Sequence, residues 1–134
     1  MLIHSEAEMV EYGKKLAQSL QAPQVLELLG DVGAGKTTFV RGLAKGLDIK
    51  EPVTSPSFTI SKTYAFNHGV LIHYDFYRLN DPGLMSEDLE ESINNPNAIT
   101  IVEWGASVND ILPENHTIIT INYNDDNSRE VIIK

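Results

Sequence analysis

The sequence predicts an α/β protein of three layers, in which a central mixed sheet carries added antiparallel hairpins. Residues 25–29 form an apolar segment that leads directly into a glycine-rich loop and then a helical pattern, the order of a strand, a loop and a helix. Residues 99–103 form a second strand of the buried type. Two pairs of alternating segments surround turn-forming residues, which is typical of β-hairpins.

Length and composition limit the class of protein. The chain has 134 residues, of which 42% are hydrophobic, so we expect one domain spanning residues 1–134 around one core. No apolar run approaches the ~20 residues that a membrane helix needs, and the N-terminus lacks a basic region followed by a hydrophobic stretch. We therefore expect a soluble, unexported protein. The absence of cysteine excludes disulfides and thiolate metal sites.

The charge balance is strongly acidic, with a formal net charge of −9 and arginine only at Arg41, Arg78 and Arg129. There is no basic stripe to neutralise a polyphosphate backbone, which disfavours independent nucleic-acid binding. Four acidic residues cluster in one predicted helix. Such a run is usually a solvated helix face, and a docking surface for a basic partner is the alternative. The cluster is Glu87, Asp88, Glu90 and Glu91.

The first half of the chain begins with a helix. Residues 5–8 form a capping-box pattern, and apolar residues at helical spacing behind it predict an amphipathic helix over residues 5–20. After the strand at 25–29, a second helix begins at Lys36 and ends near Gly46. Prolines bracket the next segment and predict an extended loop, because each restricts the residue before it.

The second half predicts more strand than helix. Alternation on either side of Asn67-His68-Gly69 predicts a hairpin, and Asp81-Pro82-Gly83 interrupts the chain after it. The predicted elements are a hairpin of residues 58–64 and 70–76, a short acidic helix at 84–93, a strand at 99–103, and a closing hairpin of residues 116–123 and 129–133.

The strongest motif lies at residues 30–37, which read Gly-Asp-Val-Gly-Ala-Gly-Lys-Thr and complete the pattern G-x-x-x-x-G-K-[ST]. Its glycines let backbone N–H groups face phosphate oxygens, and the following helix presents its positive end. Lys36 is placed to reach the β and γ phosphates, Thr37 to ligate Mg²⁺, and Thr38 to touch the α phosphate. We therefore predict a nucleoside triphosphate and magnesium site, with backbone from Gly33, Ala34 and Gly35.

A phosphate-binding loop also needs a carboxylate at the end of a neighbouring strand, where it holds magnesium directly or through water. Glu103 ends the strand at 99–103 and is our predicted metal carboxylate. For Trp104, packing at the rim of the site is favoured over stacking on the nucleotide, since aromatic side chains mostly serve as buried area.

His73 and Asp75 lie two residues apart on a predicted strand, so both project from the same face. They are suited to positioning an attacking water or binding the magnesium shell. The pattern equally fits a histidine hydrogen-bonded to its neighbour on a polar sheet face, and the sequence leaves both interpretations open. Thr54 and Ser55 are also ambiguous, because hydroxyls near prolines cap turns, yet mobile loops near a γ phosphate act as nucleotide switches.

Four segments taken together resemble the TsaE family, also called YjeE. They are residues 30–39 around the glycine-rich loop, Val53-Thr54-Ser55-Pro56-Ser57-Phe58-Thr59, His73-Tyr74-Asp75-Phe76-Tyr77-Arg78-Leu79, and Ile101-Val102-Glu103-Trp104. The resemblance covers nearly the whole chain in the right order. It is far more specific than the phosphate-binding loop alone.

The resemblance implies a bacterial cytoplasmic ATPase that binds ATP or ADP with Mg²⁺. It implies two protein partners, TsaB and TsaD, with which the family makes the threonylcarbamoyl modification on adenosine 37 of transfer RNA. The chemistry on RNA belongs to those partners, so contact with transfer RNA is expected only through the complex. No membrane role is expected.

The resemblance also implies roles for individual residues. Thr37 and Glu103 match the groups that hold Mg²⁺, and Asp75 matches an aspartate important for hydrolysis, so Lys36, Asp75 and Glu103 form the expected catalytic set. Ser5 and Arg129 match positions that contact the base and sugar. Residues 54–58 match a switch, so Thr54, Ser55 and Ser57 are expected to be switch-like, with the hydroxyl of Ser57 replacing a common threonine.

Arginine is scarce near the predicted catalytic segments, where only Arg78 is in range. An arginine finger is worth about 10³ to 10⁵ in turnover, so we expect slow ATP hydrolysis by the chain alone. Two other functions use the same loop. One is a small phosphotransferase, although no acceptor pocket or arginine-rich lid is evident, and the other is a nucleotide-gated binding module with negligible turnover.

Overall fold

The computed structural model describes residues 1–31, 33–56, 60–77 and 83–134. The predicted helices and strands occur in the predicted order, with a short strand and a 3₁₀ helix in addition. In chain order they are β1 (Leu2–Ile3), α1 (Glu6–Ala17), β2 (Gln24–Leu29), α2 (Lys36–Gly46), β3 (Ser61–Phe66), β4 (Gly69–Asp75), α3 (Leu84–Asn94), β5 (Ala98–Glu103), a 3₁₀ helix (Gly105–Val108), β6 (Thr117–Tyr123) and β7 (Arg129–Ile133).

The strands that the structure describes form one mixed sheet in the order β1-β7-β6-β2-β5-β4-β3. The four central strands, β6, β2, β5 and β4, pair in parallel. The outer strands join through antiparallel hairpins, β3 with β4 and β6 with β7, and β1 adds to β7. This arrangement confirms the predicted central mixed sheet with added hairpins.

Helices cover both faces of the sheet. One core lies between the sheet and the pair α1 and α2, and contains Phe39, Leu43 and Leu26 among its fully buried side chains. A second core lies on the opposite face, where Leu89 of α3 packs with Val102. The predicted three-layer arrangement is therefore confirmed. No helix in the described parts of the chain is long and apolar enough to cross a membrane.

Helix α1 begins at the predicted cap. The Ser5 hydroxyl accepts a hydrogen bond from the Glu8 N–H at 3.1 Å, and the Glu8 carboxylate accepts from the His4 N–H at 2.8 Å. The first bond satisfies a donor that the first helical turn leaves open, and the second ties the Glu8 side chain to the residue before the cap. The helix ends at Ala17 rather than at residue 20, because the N–H groups of Gln18 and Ser19 bond to carbonyls only three residues earlier, those of Lys15 and Leu16.

Two boundaries differ from the sequence prediction. Strand β1 was not predicted, because two residues carry no periodicity and become a strand only by pairing with β7. The first strand of the 58–76 hairpin begins at Ser61 rather than before it, since Ile60 has a φ of 70° and bends the chain. Phe58 and Thr59 of that predicted strand lie outside the described residues.

Helices α1 and α2 approach each other at glycines. A Cβ built on Gly42 would lie 2.4 Å from the Val10 carbonyl oxygen, and one on Gly13 would lie 2.6 Å from the Phe39 carbonyl oxygen. Both contacts involve backbone atoms, so a side chain there can be accommodated only if the two helices separate. The packing of α2, which carries Lys36 at its start, therefore depends on these glycines.

We predict that Gly42→Ala lowers the free energy of unfolding by about 1–3 kcal/mol, the usual cost of overpacking a core. The gain in helix propensity, about 1 kcal/mol, is smaller than the cost of moving two helices apart. Urea unfolding measures the difference, with Lys15→Ala on the exposed side of α1 as a control expected to change stability by less than about 0.5 kcal/mol. A Gly42→Ala protein as stable as the control would contradict this packing.

Candidate nucleotide-binding site

A cavity of about 510 Å³ opens where the parallel strands β2, β4 and β5 end. Ligands of open α/β sheets bind at this edge. The cavity collects predicted residues from distant parts of the sequence. The phosphate-loop region contributes Gly33, Gly35, Lys36, Thr37 and Thr38, and the rest of the chain contributes Ser5, Ser55, Asp75, Glu103, Trp104 and Arg129.

The glycine-rich loop has the backbone of an anion-binding turn. Gly33 and Gly35 have φ values of 84° and 109°, a left-handed region that costs glycine little. Gly35 is also the N-cap of α2, and within the described residues no side chain caps that helix. The first N–H groups of α2 are therefore available for a ligand with negative charge.

Lys36 lies inside the site with only 6% of its surface exposed. Its ammonium donates to the Gly30 carbonyl at 2.6 Å and lies 3.7 Å from the Glu103 carboxylate. The ammonium is also 4.1 Å from the centre of the Trp104 ring, within the range of a cation–π contact. Burial lowers the pKa of Lys36, and the nearby carboxylates of Glu103 and Asp75 oppose that shift.

His73 lies in the interior of the protein rather than in the cavity. Its side chain is fully buried, and its Nε2 is paired with Oε2 of Glu103. Its Nδ1 finds no partner among the described residues. Of the alternatives that the sequence left open, direct contact between His73 and a water in the cavity has no support in this geometry, and the contact with Glu103 makes it a support for that carboxylate.

Asp75 and Glu103 end adjacent parallel strands and lie directly opposite each other in the register. Both are nearly buried and both line the cavity. The Asp75 carboxylate accepts a hydrogen bond from the Tyr77 N–H at 2.9 Å, which fixes the chain as it leaves β4. The two carboxylates therefore share the edge of the sheet with Lys36.

In the predicted switch segment, Thr54 and Ser55 have different surroundings. Ser55 lines the cavity, whereas the Thr54 hydroxyl accepts a hydrogen bond from Lys62 at 3.2 Å and the Thr54 N–H donates to the Tyr64 hydroxyl at 3.3 Å. The Tyr64 ring is fully buried, so it anchors the segment to β3. Ser57, like Arg78 of the catalytic segment, lies outside the described residues.

Residues near both ends of the chain also line the cavity. Ser5 lines it from the start of α1, where its hydroxyl oxygen is also the helix cap. Arg129 lines it from β7, but its guanidinium donates to the carbonyl of Ala34 at 3.0 Å. Ala34, which is part of the loop, is itself buried. Arg129 thus contacts the phosphate loop directly, which the sequence did not predict.

The sequence also did not predict that two aromatic residues, Tyr77 and Trp104, pack together at the rim of the cavity. The Tyr77 ring lies 4.8 Å from the Trp104 ring, centre to centre, and both line the cavity. The contact of Trp104 with Lys36 and Tyr77 agrees with packing at the rim. Tyr77 lies in an exposed turn after a strand, and such a turn has no hydrophobic periodicity that would single the residue out from the sequence.

The acidic helix face is partly structural. The Asp88 carboxylate accepts a hydrogen bond from the Tyr74 hydroxyl at 2.7 Å, and burial together with this carboxylate raises the pKa of Tyr74. Glu87, Glu90 and Glu91 are exposed. Their exposure fits a solvated helix face and leaves the docking alternative open.

The oxygen donors of the site suit magnesium better than a transition metal. Within residues 1–31, 33–56, 60–77 and 83–134, no group of three or more His, Asp or Glu side chains is arranged to hold a metal. Magnesium needs no such cage, because it is usually held by one or two protein oxygens together with phosphate oxygens and water. Thr37 and Glu103, which line the same cavity, are donors of this kind.

A strand, a G-x-x-x-x-G-K-[ST] loop and a helix at the edge of a mixed sheet define a P-loop NTPase fold. The family model described as threonylcarbamoyl adenosine biosynthesis protein TsaE matches residues 3–131. The match extends over nearly the whole chain, and the chain belongs to the TsaE family.

Individual relatives agree with this assignment. The chain is 39% identical to the tRNA threonylcarbamoyladenosine biosynthesis protein TsaE of Nostoc sp. over 90% of its own length and 76% of the relative's. It is 42% identical to the protein of the same name from Bacillus subtilis, over 87% and 73%. The crystal structure of B. subtilis YdiB superposes with a TM-score of 0.83 at 33% identity, covering 98% of this chain and 80% of that one.

Proposed function

We propose that this chain is a magnesium-dependent ATP-binding protein that hydrolyses ATP slowly and acts as a switch in threonylcarbamoyladenosine biosynthesis. The observation that carries the proposal is the meeting of Lys36, Thr37, Asp75 and Glu103 in one cavity at the edge of the parallel strands. These four supply a cation for phosphates, a hydroxyl and carboxylate for a metal, and a second carboxylate. Membership of the TsaE family supports the pathway.

The phosphates are proposed to lie along the loop and the start of α2. We propose that the backbone N–H groups of Gly33, Ala34 and Gly35 bind them, which requires the Ala34 N–H to leave the Asp31 carbonyl, to which it donates at 3.0 Å. The Lys36 ammonium likewise leaves the Gly30 carbonyl to bind the β and γ phosphates. Thr38 reaches the α phosphate. Ser5 and Arg129 also line the cavity, and the resemblance implies that they contact the base and sugar.

Thr37 and Glu103 are the proposed magnesium ligands. A bound Mg²⁺ supplies positive charge that stabilises the transferring phosphoryl group. His73 holds Oε2 of Glu103, so this carboxylate has a fixed orientation, as carboxylates at metal sites usually do. The proposed role of Asp75, which lies opposite Glu103 in the sheet, is to orient or deprotonate the attacking water. Hydrolysis requires no other side chain in this scheme, which fits slow turnover.

The switch and the partners complete the proposal. Ser55 lines the cavity while Thr54 is held by Tyr64 and Lys62, so residues 54 and 55 connect the cavity to the outer hairpin. Loops in such positions report the state of the nucleotide. We propose that this segment signals to TsaB and TsaD in the bacterial cytoplasm, and that transfer RNA is contacted only through them, in keeping with the net charge of −9.

We predict that Lys36→Ala weakens Mg–ATP binding by about 10- to 100-fold, because a hydrogen bond to a charged group is worth about 1.5–3 kcal/mol. Titration calorimetry measures the affinity. Lys15→Ala, which removes an exposed lysine of α1, is the matched control and should bind as wild type does. If Lys36→Ala and wild type bind Mg–ATP equally, the loop is not the phosphate site.

Asp75→Asn is predicted to lower steady-state phosphate release by about 10²-fold or more, the usual contribution of a general base, while Mg–ATP affinity changes little.

Glu103→Gln should raise the magnesium concentration needed for binding, since it removes a charged ligand. Mass spectrometry identifies the product. Transfer of phosphate to a nucleotide or sugar would instead indicate a phosphotransferase, and turnover unaffected by both changes would indicate a binding module.

Reconstitution tests the pathway. With TsaB, TsaD, transfer RNA and threonylcarbamoyl-adenylate, the wild-type chain and ATP should give repeated modification cycles, whereas Lys36→Ala should give at most about one, because the nucleotide cannot reset the complex. The yield of modified adenosine per complex is counted by mass spectrometry. Equal yields from both proteins would contradict the proposed switch.

A further inference from the structure

Arg129 joins the closing hairpin to the phosphate-binding loop, although 95 residues separate it from Ala34. Its Nε donates to the Ala34 carbonyl at 3.0 Å, and its Nη2 lies 3.5 Å from the Gly33 carbonyl oxygen. Its Nη1 donates to the Asn127 carbonyl at 2.8 Å. One guanidinium therefore spans two carbonyls of the loop and one of the hairpin turn.

The loop needs such a partner because of its backbone conformation. Where left-handed residues turn successive N–H groups into a concavity, the adjoining carbonyls point away from it. Gly33 and Gly35 have left-handed φ values, and Ala34 between them is 2% exposed. A buried carbonyl without a partner costs free energy, so the Arg129 bond stabilises this conformation of the loop, in which the Ala34 N–H donates to the Asp31 carbonyl at 3.0 Å.

The Tyr123 ring and the turn between β6 and β7 support the Arg129 side chain. Its guanidinium carbon lies 3.8 Å from the centre of the Tyr123 ring, and the Tyr123 hydroxyl donates to Oδ1 of Asn127 at 2.7 Å. Within the turn, Oδ1 of Asp126 accepts from both the N–H and the hydroxyl of Ser128. These two bonds lower the pKa of Asp126. The hydrogen bonds of the turn and the Tyr123 ring together hold the Arg129 guanidinium beside the loop.

We propose that Arg129 is a positioning residue that preorganises the phosphate-binding loop by holding its outward carbonyls, rather than a group that reads the base or sugar. This inference rests on the proposed function, since it concerns the same cavity. It assigns the β6–β7 hairpin a part in phosphate binding. Ligands that lack a nucleoside must then depend on Arg129 as strongly as ATP does.

The test compares Mg–ATP with magnesium tripolyphosphate, which has the phosphates and no base or sugar. Arg129→Gln should weaken both by a similar factor of about tenfold or more, the size of one lost charged hydrogen bond. Arg129→Lys should recover little of either affinity, because an ammonium keeps the charge but neither spans two carbonyls nor stacks flat on a ring. Hydrogen exchange of the Ala34 and Gly35 amides should quicken in both free variants.

Two further variants serve as controls. Lys15→Gln removes one exposed positive charge of α1 and should leave both affinities unchanged. Tyr123→Leu removes the ring beneath the guanidinium and should weaken both ligands in the direction of Arg129→Gln, by a smaller factor. Thermal unfolding and circular dichroism establish that each variant is folded, and Arg129→Lys, the milder change, carries the test if Arg129→Gln is not.

Three outcomes overturn the inference. Loss of ATP affinity with unchanged tripolyphosphate affinity would show that Arg129 contacts the nucleoside. Full recovery of both affinities in Arg129→Lys would show that only the charge of Arg129 matters. Unchanged affinity in Arg129→Gln would show that the hydrogen bonds to the loop do not contribute to ligand binding. A wild-type protein that binds neither ligand would instead overturn the proposed function, and the inference with it.

Discussion

The charge of Lys36 is held almost entirely out of water, and the site is arranged around that constraint. An ammonium with 6% of its surface exposed loses several kcal/mol of hydration unless other groups replace it. The Gly30 carbonyl, the Glu103 carboxylate and the Trp104 ring do so. In the proposed complex, a triphosphate would offer the same ammonium stronger, charged partners.

The sheet places these partners within reach of one another. Strands β2, β5 and β4 run in parallel, so their ends lie at one edge. Leu28, just before the loop, lies opposite Glu103, and Glu103 lies opposite Asp75. A shift of one residue in either pairing would turn a carboxylate to the other face of the sheet. The register of three strands therefore fixes the geometry of the site.

Local sequence patterns predicted many of the elements and several residues of the candidate site. The loop at residues 30–37, the helix that begins at Lys36 and the carboxylate that ends β5 are read within a few residues of the chain. The bend at Ile60 and strand β1 could not be found in this way, because a positive φ and a two-residue strand depend on neighbours elsewhere. Arg129 is the clearest case, since its loop partners are 95 and 96 residues away.

In the proposed complex, Lys36 exchanges its protein partners for phosphates, and Thr37 and Glu103 share the metal. A crystal structure with magnesium and a non-hydrolysable ATP analogue would show this exchange. We expect the Lys36 ammonium to leave the Gly30 carbonyl for the β and γ phosphates, with Mg²⁺ about 2.1 Å from the Thr37 hydroxyl and the Glu103 carboxylate in its coordination shell. A nucleotide bound elsewhere, with the contacts of Lys36 to Gly30 and Glu103 unchanged, would contradict it.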